Sequence, residues 1–326
     1  MIKSVRTMIV LSAVGGAVLS GALVGCAGSG TVRAGSPDAA PSGGVAAAPS
    51  GGSALPAASP EPESELEPES AARSATGSAS PSPALRSEPP VLAPGPAGLT
   101  PVFERRAENA PSRSGTDKVV ALTFDADMTA DQGPRAAQGE HFDNPGLIAS
   151  LRRLKIPSTV FMTGRWAQEY PAQARSIGTD PLFEIANHSF SHYAFASPCY
   201  GLPAVAKADM RRDVDRAFTA IRKTGARNVV PYFRFPGGCY DDASLKALAP
   251  TGVTAVQWDV VSGDAFATDA DAVAEQVLDG VRPGSLVVMH CTRSAAPVTE
   301  EAVRRIVPEL RERGYRFVKV SELMRG

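Results

Sequence analysis

The 326-residue chain is poor in the residue types that most often announce a binding chemistry. Its four cysteines, at positions 26, 199, 239 and 291, form no Cys-x-x-Cys pair, which argues against a thiolate zinc knuckle. Its 33 basic and 34 acidic residues nearly cancel, and no basic stripe interleaved with aromatics occurs, so nucleic acid is not an indicated partner. Only four histidines are present. Two of them nevertheless stand four residues apart, in Asn187-His188-Ser189-Phe190-Ser191-His192, and that placement says more here than it would in a histidine-rich protein.

The first hundred residues divide by composition. Lys3 and Arg6 give a basic start, an apolar run over residues 8–24 follows, and Leu23-Val24-Gly25-Cys26 resembles a bacterial lipobox. Residues 1–25 thus read as a lipoprotein signal peptide, with Cys26 as the lipidated residue and the chain held at the outer face of the cell membrane. Seventeen residues rich in Gly, Ala and Ser are marginal for a membrane span of about twenty. Residues 26–115 are Ala, Pro, Ser and Gly, with Glu61, Glu63, Glu65, Glu67 and Glu69 as an acidic patch. Such a stretch has too little apolar side chain to offset its ordering entropy, and it reads as a disordered tether. Prolines and mutually repelling glutamates keep it extended. Residues 116–326 hold nearly all the aromatic and β-branched side chains, one domain's worth of core, and a monomer is expected.

Within that domain short apolar runs alternate with helical patterns. Residues 119–124, 158–162, 183–186, 229–235, 255–258, 285–289 and 316–320 read as strands. Residues 144–154, 168–177, 204–223, 244–248, 270–281 and 299–313 read as helices, the first with Leu147, Ile148, Leu151 and Leu154 on one face and the third stopped by Gly225. This alternation predicts an α/β fold with a parallel sheet and crossover helices, either an open doubly wound sheet or a closed barrel. Either shape collects chemistry at the carboxyl ends of strands. Asp125, His188, Arg234, Asp264 and His290 each follow an apolar run, directly or after a few residues.

Two histidines at i and i+4 can project from one side of a helical turn. A carboxylate from another strand, Asp125 or Asp127, would complete a facial set of nitrogen and oxygen ligands. Such a set suits zinc or a similar divalent ion, with positions left open for water. Taken singly each residue has a plainer reading: Asp125 as a helix cap, the histidines as surface neighbours, Arg234 as an ion-pair residue, Asp264 as a turn former, His290 as a satisfied core side chain. His141 fits no pattern and reads as a loop residue.

Five segments in order resemble the NodB-homology polysaccharide deacetylases, carbohydrate esterase family four. They are Thr123-Phe124-Asp125; the stretch from Glu184 through His192; Phe233-Arg234-Phe235-Pro236-Gly237; Trp258-Asp259-Val260-Val261-Ser262-Gly263-Asp264; and Ser285-Leu286-Val287-Val288-Met289-His290. The resemblance implies a distorted (β/α) barrel of parallel strands and hydrolytic removal of acetyl from N-acetylglucosamine units of a cell-wall polysaccharide. It implies Asp125 as general base, Arg234 as its partner, His290 as general acid and Asp264 as the residue orienting it. His188 and His192 become metal ligands, with zinc the expected ion and cobalt or nickel as alternatives. Leu286, Pro236, Gly237 and Trp258 become the positions beside the substrate, and the backbone N–H just beyond Pro236 a candidate oxyanion donor.

Departures from the family pattern are equally informative. Ala126 stands where the family has a second aspartate as metal ligand, so Asp127 is expected to take that role through a bend beyond the strand. Gly237, Val261 and Ala265 replace an aromatic, an aspartate and a tryptophan, which thins the walls of a sugar groove, and Cys291 stands where an aspartate is common. An O-acetyl esterase on a similar glycan, a catalytically silent glycan-binding lipoprotein and a structural metal domain are the competing readings. Three cysteines besides Cys26 leave one unpaired, with Cys199–Cys239 the preferred pair because both lie in loops after motif strands.

Overall fold

A computed structural model describes residues 88–107 and 118–325 of the chain. The signal peptide, Cys26 and most of the expected tether lie outside the described residues. The strands are β1 (Val102–Phe103), β2 (Val119–Ala126), β3 (Ser158–Met162), β4 (Phe183–Asn187), β5 (Val229–Phe233), β6 (Thr254–Val256), β7 (Val260–Val261), β8 (Ser285–His290) and β9 (Arg316–Phe317). The helices are α1 (Gly133–Ala137), α2 (Pro145–Leu154), α3 (Gly164–Glu169), α4 (Pro171–Thr179), α5 (Met210–Lys223), α6 (Asp242–Leu248), α7 (Ala270–Gly280), α8 (Thr299–Glu312) and α9 (Val320–Arg325). No helix among the described residues is long and apolar enough to cross a membrane.

The strands pair in parallel in the order β1-β6-β5-β4-β3-β2-β8-β7, and β9 joins the first two residues of β2. Among the described residues β1 and β7 are the ends of this path, so backbone pairing leaves the expected barrel open along one side. Alternation along each strand sorts side chains into two layers. Val120, Leu122 and Phe124 of β2, Val160 and Met162 of β3, Ile185 of β4, and Val287 and Met289 of β8 face outward against α2, α3, α4, α7 and α8. The opposite parity gives Ala121, Phe161, Ala186, Tyr232, Val256 and Leu286, one residue from each of six strands, which meet in a second core. Six strands can share one small cluster only if the sheet curls around it, which is the half-barrel.

Val320 and Leu323 of α9 close the floor of that inner core. The buried Glu184 carboxylate accepts from the Ser321 backbone N–H at 3.0 Å and from Thr159 Oγ1 at 2.9 Å, so the floor has its own satisfied polar pair. Burial raises the Glu184 pKa above the ordinary carboxylate value, against the donors that surround it.

Several boundaries differ from the sequence reading. The expected helix over 168–177 is two helices broken at Tyr170, because Pro171 has no N–H to continue the first. The long helix over 204–223 begins only at Met210, after a 3-10 turn at Lys207–Asp209. The closing strand over 316–320 is two residues long and gives way to α9. The folded body also starts earlier than residue 116. Val102–Phe103, inside the expected tether, pairs with Ala255 and Val256, and the Arg106 N–H donates to the Gly284 carbonyl. That β1 pairing covers the β6 edge, and a two-residue strand is too short to leave a periodic signal.

Candidate active site

The inner-face parity that builds the lower core continues upward into polar residues. On β2 it runs Ala121, Thr123, Asp125; on β8, Leu286, Val288, His290; and Asp125 and His290 are register partners at the carboxyl ends of adjacent strands. One residue past β4 comes His188, and one past β5 comes Arg234. The site is therefore the top layer of the barrel interior.

Arg234 is fully buried and organises this layer. Its Nη1 donates to Asp125 Oδ1 at 2.6 Å, Nη2 to Thr123 Oγ1 at 2.8 Å, and Nε to the Val256 carbonyl at 3.2 Å. The guanidinium lies 3.8 Å from the Phe161 ring centroid and 5.4 Å from that of Trp258. A fork reaching a carboxylate, a hydroxyl and a carbonyl at once needs arginine geometry; a lysine ammonium could not span them. Leaving such a charge without its carboxylate would cost about 3–5 kcal/mol, so the pair fixes Asp125 in place.

The histidine pair does not sit on a helical turn. It lies on the loop leaving β4, where Ser189 and His192 adopt left-handed φ of 70° and 57°. The loop is pinned by Asp213, whose Oδ2 accepts from the Phe190 N–H, and by Ser189 Oγ, which accepts from the His192 N–H. This backbone brings the two rings to 5.1 Å between centroids. His188 Nδ1 lies 3.0 Å from the Arg234 carbonyl, and a carbonyl can only accept, so the proton of the neutral ring is on Nδ1 and Nε2 presents its lone pair. Burial, with His192 and Arg234 adding, lowers the His188 pKa well below the ordinary value and keeps the ring neutral. Burial likewise lowers that of His192, against the pull of Asp127 and Asp125.

The carboxylates complete the cluster. His188 Nε2 stands 3.6 Å from Asp125 Oδ2, and His192 Nε2 stands 3.6 Å from Asp127 Oδ2. Asp127 follows the last residue of β2 and is fixed by Thr292, whose hydroxyl donates to its Oδ1. Thr163 clamps the same bend, its Oγ1 accepting from the Met128 N–H at 3.1 Å while the Thr163 N–H donates to the Ala126 carbonyl at 3.0 Å. Two neutral imidazoles, one with its far nitrogen already bonded to a carbonyl, beside two carboxylates form a donor set that fits a borderline divalent ion. Among the described residues no three such side chains already converge as a formed metal cage. The fit is therefore one of donor chemistry, in two close pairs.

A second charged pair stands on the other side of Asp125. His290 Nδ1 lies 2.8 Å from Asp264 Oδ1, and the His290 N–H donates to Asp264 Oδ2 at 2.7 Å. Ser262 Oγ and Thr299 Oγ1 also donate to Asp264, at 2.8 and 2.7 Å. Burial of His290 disfavours its charge, but Asp264, helped by Asp127 and Asp125, outweighs it and the pKa is pushed up to about 10. Burial disfavours the Asp264 charge too, and here His290 and the hydroxyl donors win, lowering its pKa. The imidazolium keeps its Nε2 proton at neutral pH, and the ring is a quarter exposed.

The polysaccharide deacetylase family profile matches residues 112–256. The chain is 30% identical to the chitooligosaccharide deacetylase of Sinorhizobium fredii over 62% of its own length and 91% of that protein. The chain belongs to the polysaccharide deacetylases, the NodB-homology carbohydrate esterases of family four. The peptidoglycan-N-acetylglucosamine deacetylase of Bacillus cereus is 28% identical, over 64% of this chain and 89% of that one. In fold the chain matches a CE4 family pseudoenzyme from Bacillus anthracis, with a TM-score of 0.54 and 24% identity over 72% and 70% of the two chains.

The remaining expected positions fall as follows. Pro236, buried, and Gly237, exposed, form the turn after Arg234, and the Gly238 N–H donates to the Phe235 carbonyl at 2.8 Å. Trp258 is half-buried beside Arg234, with its indole N–H buried and without a hydrogen-bond partner. Leu286 is fully enclosed in the inner core, two inner-face positions below His290, and is the expected substrate residue that stays away from the rim. Cys199 and Cys239 form the disulfide, and Cys291 is buried and free. His141 is a loop residue, bonded to Asp143. Sequence reasoning gave no role to Thr123, Thr163, Thr292 and Thr299, whose hydroxyls hold the charged residues; threonine is too common for one hydroxyl to signal a site.

Proposed function

We propose that this polysaccharide deacetylase acts as a metal-dependent hydrolase on N-acetylglucosamine units of a cell-wall glycan. The observation that carries the reading is the register pairing of Asp125 with His290, each backed by a buried partner of opposite charge. Asp127, His188 and His192 are the residues that would hold the divalent ion, zinc by donor type. When bound, that ion lowers the pKa of water and polarises the acetyl oxygen.

The chain's own groups divide the remaining work. Asp125, held by Arg234 through Oδ1, accepts a proton from the attacking water at its Oδ2, the oxygen not engaged by the guanidinium. His290, kept protonated by Asp264, donates from Nε2 to the departing amine, which leaves the glucosamine nitrogen as a neutral amine. The protein is further proposed to be a lipoprotein anchored through Cys26 at the outer face of the membrane. A target close to that surface, such as peptidoglycan, is consistent with the anchor.

Acetate release tests the reading. Release from N-acetylglucosamine oligomers that exceeds release from acetylated xylan supports it; the reverse ratio makes the protein an O-acetyl esterase. Replacement of a second aspartate by Ala126 favours a silent glycan-binding reading instead, which absence of release with any divalent ion would support. Recovery of Cys26→Ser in the medium, with the native chain in the membrane fraction, checks the anchor.

A further inference from the structure

Two aromatic side chains project from the rim of the site into solvent. Tyr200 is 78% exposed and Phe266 is 84% exposed, and both have left-handed backbones, with φ of 47° and 61°. Left-handed φ is uncommon for any bulky residue, a strain retained chiefly where it serves a function. Neither turn is loose. Cys199 is bonded to Cys239, and the Leu202 N–H donates to the Cys199 carbonyl at 2.8 Å across Tyr200. The Phe266 N–H donates to the Ala295 carbonyl at 2.6 Å, and the Ala267 N–H returns to the Asp264 carbonyl. The backbones are fastened and only the rings are free.

Their placement ties them to the chemistry. Phe266 is two residues beyond Asp264, the partner of His290. Tyr200 lies over the turn that follows Arg234: a Cβ at Gly237 would come within 2.7 Å of Cys199 Sγ and 3.4 Å of the Tyr200 ring. That turn cannot carry its own aromatic, because the disulfide occupies the space. In the sheet order the Tyr200 loop leaves β4 and the Phe266 loop leaves β7, with β3, β2 and β8 between them. The two rings therefore flank the strands that present Asp125 and His290.

We infer that Tyr200 and Phe266 form a pair of stacking platforms for the sugar units of a glycan chain on either side of the acetylated unit. This rests on the proposed deacetylation. The apolar face of a pyranose matches an aromatic ring, and an aromatic side chain on a fastened backbone has only two torsions to order on binding. The thinned groove walls at Gly237 and Ala265 are replaced from Tyr200 and Phe266 instead.

The test compares acetate release from the N-acetylglucosamine dimer and hexamer by the native protein, Tyr200→Gly, Phe266→Gly and Phe266→Trp. Glycine suits a left-handed φ, so the glycine variants fold at least as stably as the native chain. The expected result is a hexamer-over-dimer ratio of kcat/KM that falls about tenfold for each ring removed and is retained in Phe266→Trp. Equal loss on both oligomers, or no change in the ratio, overturns the proposal. So does reduced binding to phosphatidylglycerol vesicles with an unchanged ratio, which would make the rings a membrane contact. If the native protein releases no acetate, the deacetylase reading fails on its own. Calorimetry with the hexamer then decides the platforms: weaker binding by both glycine variants upholds them, and equal binding defeats them.

Discussion

Asp125 is the residue on which the chemistry and the fold make opposite demands. A carboxylate that accepts a proton must keep one oxygen free, yet at 4% exposure it must also be neutralised. Arg234 resolves this by taking only Oδ1. Asp125→Asn should therefore lower kcat by about 10²–10⁴. It should also lower stability by about 3–5 kcal/mol, read by urea unfolding, since Arg234 is left buried without its counter-charge. Unchanged stability would mean that the pair is not the neutralising one. His290 allows a pH prediction. Its pKa of about 10 lies above the ordinary 6.5, so its protonation stabilises the folded chain fully below pH 6.5, and that contribution is lost as pH rises through 10. Asp264, with a lowered pKa, works in the opposite sense, and its contribution is lost as pH falls through the carboxylate range. The urea midpoint should fall between pH 7 and pH 10, and His290→Gln should flatten that fall.

At the scale of elements, the site depends on how strands end. β2 stops at Ala126, and the bend that follows is held by Thr163 on one side and Thr292 on the other, which points Asp127 at His192. Thr292→Val should weaken zinc binding about 10–100-fold in equilibrium dialysis while leaving the fold intact, because it frees Asp127, the proposed ligand, without unpairing a buried charge. Full retention of affinity would exclude Asp127 as a positioned ligand. The charged residues of this site were legible in the sequence because five short segments carrying them follow apolar runs in the order of a family pattern, although each alone has a plainer reading. Their hydroxyl supports were not, and neither was the loop backbone of the histidine pair: the i, i+4 spacing reads as a helix, while left-handed Ser189 and His192 reach a similar apposition without one. β1 was hidden for another reason, since two residues carry no period. Removing residues 88–107 should lower the melting temperature by several degrees, because β6 then exposes its edge and Val256 loses cover.

Over the whole molecule, alternation along six strands does two things at once. Its lower layers make an apolar plug, and its top layer, by the same parity, gathers the groups to which the proposed hydrolysis is assigned. The parallel α/β class was readable from strand and helix alternation, since each crossover needs a helix. The open side of the barrel was not, because closure depends on edge pairing between segments distant in sequence. The proposed donors sit on strand ends and loops while the core holds the fold, so an ion bound there would serve chemistry more than folding. That separation is tested most directly by acetate release from an N-acetylglucosamine oligomer, measured on native protein, after chelation, and after a divalent ion is added back. Release should vanish with the chelator and return with zinc or cobalt, while far-UV circular dichroism stays constant throughout. Release that survives chelation, or never occurs with any divalent ion, would contradict a metal-dependent deacetylase site built from Asp127, His188 and His192.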